Sequence, residues 1–410
     1  MLSLIARSAL VVALAAAPIA HAQTLRWASQ GDPQTMDPHS QNESMTNMMN
    51  GQVYEKLVNR DKHLGIVPAL ATEWQQVSPT LWRFKLRPNV KFHDGTPFTA
   101  DDVVFSMERG AAPTSTINQY ATAVGKPRRV DDLTVEFQLA APNPIFLQHL
   151  ETLWIMSKVW SEKNRVSKPL DFKNKEESYA GLNANGTGPY MLVSRAPGIK
   201  TVYRRNPNWW GKFEGNVQEI VYTPIGNDAT RLAALVSGEI DFVLDPAPRD
   251  IARLRNTAGV KIIDGPENRI VFIGMDQFRD KLLYGSVPGD KNPFKDQRVR
   301  RAMYQAIDIE TMKTKLMNGL SVPTGGLTPS PLGSYNDPEI EGRLPYDLAA
   351  ARKLMAEAGF ADGFEVTLDC PNNRYINDEE ICIALDGMWA QLKIKVKVNA
   401  QPRATYFPKI

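Results

Sequence analysis

Three places in the sequence combine residue types that could carry acid–base or metal chemistry: His93 with Asp94, Asp101 with Asp102, and Glu379 with Glu380. A metal site needs three or four ligands, and the residues around His93 do not supply them, so a turn at Asp94 and Gly95 is the preferred interpretation. Both carboxylate pairs fall where helices are predicted to begin, and acidic side chains there interact favourably with the helix dipole. These places therefore favour structural roles over catalysis.

The sequence also lacks the local motifs by which common enzyme classes are recognised. It contains no Gly-x-Gly-x-x-Gly that opens a helix, no phosphate loop ending in Gly-Lys-Ser/Thr, no His-Glu-x-x-His and no Gly-x-Ser-x-Gly. Four methionines could suggest a soft-metal site, but a helix face filled by Met is the preferred interpretation: Met36, Met45, Met48 and Met49. We therefore expect no enzyme activity, no cofactor and no metal.

The composition is typical of a large globular protein. The 410 residues include 43% hydrophobic and 23% charged side chains, with a formal net charge of +3. This length predicts two or three domains. The nearly balanced charge gives no reason to expect a nucleic-acid or membrane-surface partner, since both require clustered basic residues. We expect a monomer that does not bind nucleic acid.

The first 22 residues have the pattern of a secretory signal peptide. Arg7 precedes an apolar run over residues 9–19, and Ala20 and Ala22 provide the small residues that signal peptidase requires. The run is shorter than the roughly 20 residues that span a bilayer. We predict cleavage between Ala22 and Gln23 and a mature protein in the periplasm; a buried N-terminal helix is the alternative.

Strand patterns and helix patterns alternate along the chain, which predicts an α/β protein. Strands are predicted at 24–29, 82–87, 134–139, 217–224, 241–244, 260–263, 270–275, 364–370 and 394–398, with a hairpin over 190–205. Helices are predicted at 44–58, 228–237, 296–318, 347–358 and 378–392, and a capping box of Thr99 and Asp102 should begin another. No closing helix is predicted after Val398, and this abrupt ending suggests a fragment.

The two cysteines, Cys370 and Cys382, lie twelve positions apart. Cys370 ends a predicted strand, whereas Cys382 lies on a predicted helix. In an oxidising compartment the pair could form a disulfide. Two buried thiols are nevertheless the expected state, because free cysteine is among the most buried residue types.

One long segment is more specific than any of these patterns. Residues 68–106 read PALATEWQQVSPTLWRFKLRPNVKFHDGTPFTADDVVFS, and four further motifs follow in order: NGTGPY at 185–190, RNPNWW at 205–210, SGEID at 237–241 and NPFKDQRVRRAMYQAID at 292–308. Together they resemble the bacterial extracellular solute-binding proteins of family 5, the oligopeptide- and dipeptide-binding components of ABC importers. The agreement extends from about residue 24 to residue 410.

The resemblance implies a two-lobed periplasmic-binding-protein-like fold of the class II type, with an extra domain inserted in the first lobe. Lobe 1 would comprise residues 23–50 and 184–266, the inserted domain residues 51–183, and lobe 2 residues 267–410. Family members are longer, so the C-terminal segment that completes lobe 1 would be missing here. In such proteins the lobes close over a solute, and the transport complex distinguishes the closed form from the open form.

The resemblance also indicates which residues line the cleft between the lobes. They are Gln41, Asn42, Glu43 and Ser44 in the loop after the first strand, Leu244 and Asp245 at the hinge, Arg269 and Asp276 in the strand that follows, and Arg374, Tyr375 and Trp389 in lobe 2. Glu43 could pair with a cationic ligand group or act as a helix N-terminal charge. Arg374 suits a carboxylate but could be a surface cation, and Trp389 is more easily explained as a core residue.

We therefore predict a receptor that delivers a peptide or similar small polar solute to the permease of an ABC importer in the inner membrane. In the peptide-binding members, the acidic residue that holds the ligand amine lies beyond the last residue of this chain. Other ligands of the family, such as sugars, opines and metal chelates, are therefore alternatives to a peptide. A receptor that feeds a sensor and an extracellular hydrolase on the same scaffold are the alternatives.

Overall fold

The structure is a computed structural model that describes residues 23–171, 174, 176–265, 267–328 and 338–410. The predicted signal peptide, residues 1–22, lies outside the described residues. The described chain forms sheets of five, four, three and two strands with helices between them. This is the mixed α/β architecture that the sequence predicts.

The described residues include fourteen strands and fourteen α-helices, together with short 3-10 and π-helical segments. The strands are β1 (Gln23–Ser29), β2 (Val58–Arg60), β3 (Ile66–Pro68), β4 (Ala71–Ser78), β5 (Leu81–Leu86), β6 (Lys126–Asp131), β7 (Thr134–Gln138), β8 (Tyr190–Ala196), β9 (Lys200–Arg205), β10 (Val217–Pro224), β11 (Phe242–Val243), β12 (Gly285–Ser286), β13 (Glu365–Pro371) and β14 (Lys395–Gln401). The helices are α1 (Ser44–Asn50), α2 (Ala100–Gly110), α3 (Asn118–Ala123), α4 (Phe146–Leu150), α5 (Lys158–Lys163), α6 (Tyr179–Leu182), α7 (Asp228–Val236), α8 (Ile251–Arg255), α9 (Gln297–Gln305), α10 (Ile309–Thr311), α11 (Pro338–Glu341), α12 (Leu348–Glu357), α13 (Asp378–Trp389) and α14 (Arg403–Lys409).

The five-stranded sheet has the order β11-β1-β10-β9-β8. Strand β1 pairs in parallel with β10 and β11, whereas β10, β9 and β8 are antiparallel neighbours. The predicted hairpin is confirmed, with Gly198 at a φ of 72° in its turn. Trp27, Tyr203 and Tyr222 are buried on this sheet, where loss of water contact by their large rings stabilises it. All five strands fall within the segments predicted as lobe 1.

A four-stranded antiparallel sheet, β4-β5-β7-β6, lies within the predicted inserted domain. Its core includes Phe84, Phe137 and Phe146, whose rings contact one another at centroid distances of 5.5–6.0 Å. Helix α2 covers this core, and its predicted capping box is confirmed: the carboxylate of Asp102 accepts a hydrogen bond from the Thr99 backbone N–H at 2.9 Å.

The three-stranded sheet, β12-β13-β14, belongs to the predicted lobe 2. Strands β13 and β14 are parallel and connected through α13, which forms a βαβ unit. Helices α9 and α12 pack against each other beside it, and the core includes Val299, Met303 and Trp389. The division of the chain at residues 50, 183 and 266 remains a prediction. Among the described residues, each sheet takes its strands from one predicted segment.

The NGTGPY and RNPNWW motifs meet where the inserted domain joins lobe 1. A Cβ atom on Gly186 or Gly188 would lie 2.0 or 2.6 Å from the Val53 carbonyl oxygen, so only glycine permits this close approach of backbones. Nearby, the partly buried carboxylate of Glu55 accepts a hydrogen bond from the Trp210 indole N–H at 2.8 Å. The motifs therefore have a structural role at this junction.

Two predicted helices are shorter than expected because their backbone groups form hydrogen bonds with other partners. The helix predicted over 44–58 ends at Asn50, and the Val53 carbonyl then accepts from the Gly188 N–H at 2.8 Å. The helix predicted over 296–318 is divided into α9 and a second helical segment, in which α10 continues as a π-helix over Met312–Leu316. There the carboxylate of Asp308 accepts from the Thr311 N–H at 2.9 Å and caps a new turn.

Two further expectations are wrong. The predicted strands over 260–263 and 270–275 pair with no strand in the described part of the chain, since the sheets there draw on other segments. A closing helix does follow Val398, because α14 covers Arg403–Lys409. Pro402 immediately precedes this helix, a position where proline is well tolerated.

The expected pair of buried thiols is also wrong, because Cys370 and Cys382 form a disulfide. Helix α13 packs on β13, and this contact brings the Cα atoms of the two cysteines to 6.7 Å from each other. The bond therefore joins the end of β13 to the first part of α13, next to the residues of lobe 2 that face lobe 1.

Replacing both cysteines by alanine should lower the free energy of unfolding by about 2–3 kcal/mol, since the closed loop restricts the unfolded chain. Urea unfolding with and without a reducing agent measures this difference. The reducing agent should destabilise the natural protein and leave the double variant unchanged. Two reactive thiols in the denatured, unreduced natural protein would contradict the disulfide.

Candidate solute-binding cleft

A cleft of about 270 Å³ lies between the segments predicted as lobe 1 and lobe 2. The lobe 1 wall includes Asn227 at the start of α7 and Asp245 after β11, and the lobe 2 wall includes Asn377 and Glu379 at the start of α13. The lining is predominantly polar and rich in carboxylates. Such a lining suits a polar solute with groups that donate hydrogen bonds.

The loop between β1 and α1 reaches this region and is fixed by a buried ion pair. The guanidinium of Arg109 on α2 donates to both carboxylate oxygens of Asp37, at 2.8 and 2.6 Å, and both side chains are fully buried. Burial alone would raise the pKa of Asp37, but the charge and hydrogen bonds of Arg109 lower it below its ordinary value. The pair therefore attaches the loop to the inserted domain.

His39 in the same loop is buried and neutral. Its Nε2 lies 3.0 Å from the Trp154 carbonyl oxygen, which can only accept, so Nε2 carries the proton. Burial, assisted by the charge of Arg109, lowers the pKa of His39 to about 4. The stability of this loop therefore requires the imidazole of His39 to be uncharged.

Glu43 is the N-cap of α1, so it has the alternative role of a helix N-terminal charge. Its carboxylate accepts from the backbone N–H groups of Met45 and Thr46, each at 3.1 Å. The cation that it contacts is Arg403 of lobe 2, at 2.7 Å. Among its neighbours, Gln41 is buried, whereas Asn42 and Ser44 are exposed.

Leu244 and Asp245, the predicted hinge residues, follow β11. The Leu244 N–H donates to the Ala28 carbonyl at 3.0 Å, which continues the pairing of β11 with β1. Asp245 has a φ of 56°, so the chain turns sharply there. Burial, and then the charge of Glu267, raises the pKa of Asp245, while Arg269 opposes this effect. Arg269 pairs with Glu267 at 2.7 Å, so this ion pair lies close to Asp245.

Arg374 and Tyr375 lie between β13 and α13, on the lobe 2 side of the cleft. The carboxylate of Asp378 accepts from the backbone N–H of Arg374 at 2.8 Å, and this contact fixes the turn. The Arg374 guanidinium lies 4.9 Å from the ring centroid of Phe407. Within the described residues, no carboxylate lies close enough to form an ion pair with it.

Tyr375 connects this turn to lobe 1. Its carbonyl accepts from the side-chain amide of Gln30 at 3.0 Å. Burial, and then the charge of Asp378, raises the pKa of Tyr375 to about 12. The phenol therefore stays protonated at neutral pH and can donate a hydrogen bond.

Of the predicted cleft residues that the structure describes, Asp245 lines this cavity, and Trp389 and Asp276 lie apart from it. Trp389 is buried in the core of lobe 2, where its indole N–H donates to the Met303 carbonyl at 2.9 Å. It is therefore a core residue, as the alternative held, because α13 turns that face towards α9. Asp276 pairs with Arg279 at 2.7 Å and does not line the cleft cavity.

The sequence analysis missed Gln30 and Arg403, which carry the contacts between the lobes. Gln30 follows β1 directly, and the buried Arg403 begins α14, where no helix was predicted. A cation beside Pro402 has no local pattern that distinguishes it from a surface residue. Arg403 is distinguished only by its burial, which results from the fold.

The comparisons with known proteins agree with this architecture. The profile described as bacterial extracellular solute-binding proteins, family 5 Middle, matches residues 65–409. The chain belongs to this family. It is 28% identical to the periplasmic oligopeptide-binding protein OppA of Salmonella typhimurium over 434 aligned positions, which cover 98% of this chain and 76% of OppA.

Solved structures of family members show the same fold. The periplasmic binding protein DppA of Helicobacter pylori, in complex with the peptide STSA, has a TM-score of 0.77 at 24% identity, over 94% of this chain and 75% of DppA. AgaA of A. tumefaciens R10, in complex with agropinic acid, also has a TM-score of 0.77, at 23% identity over 94% of this chain and 74% of AgaA. This fold thus holds both a peptide and a non-peptide solute.

The described residues also bear on membranes and metals. No helix there has the length and apolar character required to cross a bilayer. No group of three or more His, Cys, Asp or Glu side chains is arranged to hold a metal ion in the same residues.

His39 predicts a specific pH dependence of stability. The pKa of His39 is lower in the folded state than its ordinary value of 6.5. Its contribution to the unfolding free energy is therefore complete above pH 6.5 and is lost as the pH falls towards 4. We expect the natural protein to lose up to about 3 kcal/mol of unfolding free energy from this group. H39Q, which keeps an N–H donor, should lose correspondingly less.

Urea unfolding at pH 7 and at pH 4 measures both proteins. H63Q is the matched control, since His63 lies in an exposed turn. Equal pH dependence in H39Q and the natural protein would contradict a neutral, buried His39.

Proposed function

We propose that this protein captures a small polar solute between its two lobes and delivers it unaltered to the permease of an ABC importer. The observation that carries this proposal is the polar cleft between lobe 1 and lobe 2, in a chain that belongs to the solute-binding proteins of family 5. The relatives reported above are binding proteins, which supports a receptor over a hydrolase.

The charges around the cleft favour a solute with both an amine and a carboxylate. Asp245 and Asp378 are partly desolvated, and burial raises the pKa of both carboxyls. A cationic group placed between them would favour their ionised forms. On the lobe 2 side, the guanidinium of Arg374 is available for a carboxylate. A peptide carries both groups at its ends.

A non-peptide solute is the second candidate, because AgaA holds agropinic acid in the same fold. Acidic solutes of that kind also present carboxylates that a guanidinium can bind. The predicted contacts at Gln41, Asn42, Ser44, Leu244 and Arg269 remain part of the proposal for either solute class.

We place the mature protein in the periplasm, as a monomer. The support is the signal-peptide pattern of residues 1–22 and the description of the Salmonella relative as periplasmic. The permease would recognise the closed pair of lobes, because closure brings surfaces of both lobes into one fixed arrangement.

Mass spectrometry of the protein after incubation with a peptide library tests this function. We expect intact peptides to be retained by the folded protein and released on unfolding. Cleaved peptides would favour the hydrolase and contradict the receptor. If the protein instead retains a non-peptide solute from the cells in which it was produced and binds no peptide, the second candidate is favoured.

Arg374 should decide the affinity for the carboxylate of a retained peptide. R374Q should weaken binding roughly tenfold or more, because it removes a charge-assisted hydrogen bond. Titration calorimetry with that peptide measures the change. R301Q is the matched control on the exposed surface of α9. Equal affinities in R374Q and the natural protein would exclude this role.

A further inference from the structure

We propose that Glu43 and Arg403 form a latch between the lobes that favours the closed cleft before any solute binds. Their side chains lie 360 positions apart in the sequence, yet Nη1 of Arg403 is 2.7 Å from Oε1 of Glu43. Only 4% of the Arg403 side chain and 2% of the Glu43 side chain are exposed. The proposal rests on the two-lobed fold and is independent of the identity of the solute.

Each partner is held firmly by its own lobe. In lobe 1, two backbone N–H groups at the start of α1 fix the Glu43 carboxylate. In lobe 2, Arg403 begins α14, and its backbone N–H donates to the side chain of Asn373 at 2.9 Å. The backbone of each partner therefore moves with its own lobe, and separation of the lobes pulls the guanidinium away from the carboxylate.

The guanidinium also contacts the backbone of lobe 1. Its Nη2 donates to the Asp32 carbonyl at 2.9 Å. A Cβ atom on Gly31 would lie 1.9 Å from this nitrogen, so the guanidinium fits only because residue 31 has no side chain. The hydrogen bond from Gln30 to the Tyr375 carbonyl lies in the same interface. Glycine at position 31 therefore belongs to the latch.

Burial makes the closed state depend on both charges. When the lobes separate, water solvates Glu43 and Arg403 again, so an intact pair contributes modestly to closure. When one partner is removed, closure must bury the other charge without compensation, which is strongly unfavourable. Removing both partners removes that penalty. The two residues should therefore be coupled in a double-mutant cycle of closure.

The Asp37–Arg109 pair does not affect closure of the cleft in this way. It is buried to a similar degree, but it connects lobe 1 to the inserted domain. Opening of the cleft leaves it intact. Glu43 and Arg403 are thus the buried ion pair that spans the two lobes in the described chain.

The distance between spin labels in the solute-free protein tests the latch. Cysteines introduced at Lys200 of lobe 1 and Lys353 of lobe 2 carry the labels, and both natural cysteines are protected in the disulfide. Unfolding in guanidinium without a reducing agent, followed by refolding, removes any retained solute. Double electron–electron resonance then gives the populations of closed and open lobes.

We expect a closed population in the natural protein without solute. R403M should lower the ratio of closed to open protein roughly tenfold or more. E43Q should act in the same direction, and E43Q/R403M should show less than the sum of the two effects. G31A, which keeps both charges but obstructs the guanidinium, should also favour opening.

R26M is the matched control, because Arg26 pairs with Asp241 on the exposed surface of lobe 1. Circular dichroism checks that each variant is folded, and G31A decides the question if R403M does not fold. Identical distance distributions in the natural protein and these variants would overturn the latch. So would a natural protein that is fully open without solute. Neither result would alter the expected retention of intact peptides.

Discussion

Burying charge away from water is the constraint on which this structure most depends. A buried guanidinium or carboxylate is tolerated only when its partner and its hydrogen bonds replace the lost water. Arg109 meets this requirement with Asp37, and Arg403 meets it with Glu43. The first pair fixes the loop after β1 to the inserted domain, and the second joins that loop to lobe 2. The position of the cleft walls follows from both pairs.

The regular elements were largely predictable, because their signals are local. The capping box of Thr99 and Asp102, the hairpin at Gly198 and the N-cap at Asp347 each depend on residues a few positions apart. The failures share one cause. Asn50, Asp308 and Cys382 respond to partners that only the folded chain brings near, so no local pattern could reveal their contacts.

The cleft was predictable by resemblance at the level of segments and less so at the level of side chains. Asp245 does line the cavity, and Arg374 and Tyr375 lie beside it. Glu43 was singled out for a cationic partner, but that partner is Arg403 of the same chain. Trp389 could not be assigned from sequence, because an indole suits a core and a pocket equally well. Only the packing of α13 decides between them.

The central claim is that both lobes hold one solute between them. Hydrogen–deuterium exchange of the protein with and without a retained solute tests this claim most directly. The account predicts slower exchange on both walls together, in residues 226–249 of lobe 1 and 372–380 of lobe 2. Slower exchange confined to one lobe, or unchanged exchange on both walls, would contradict it.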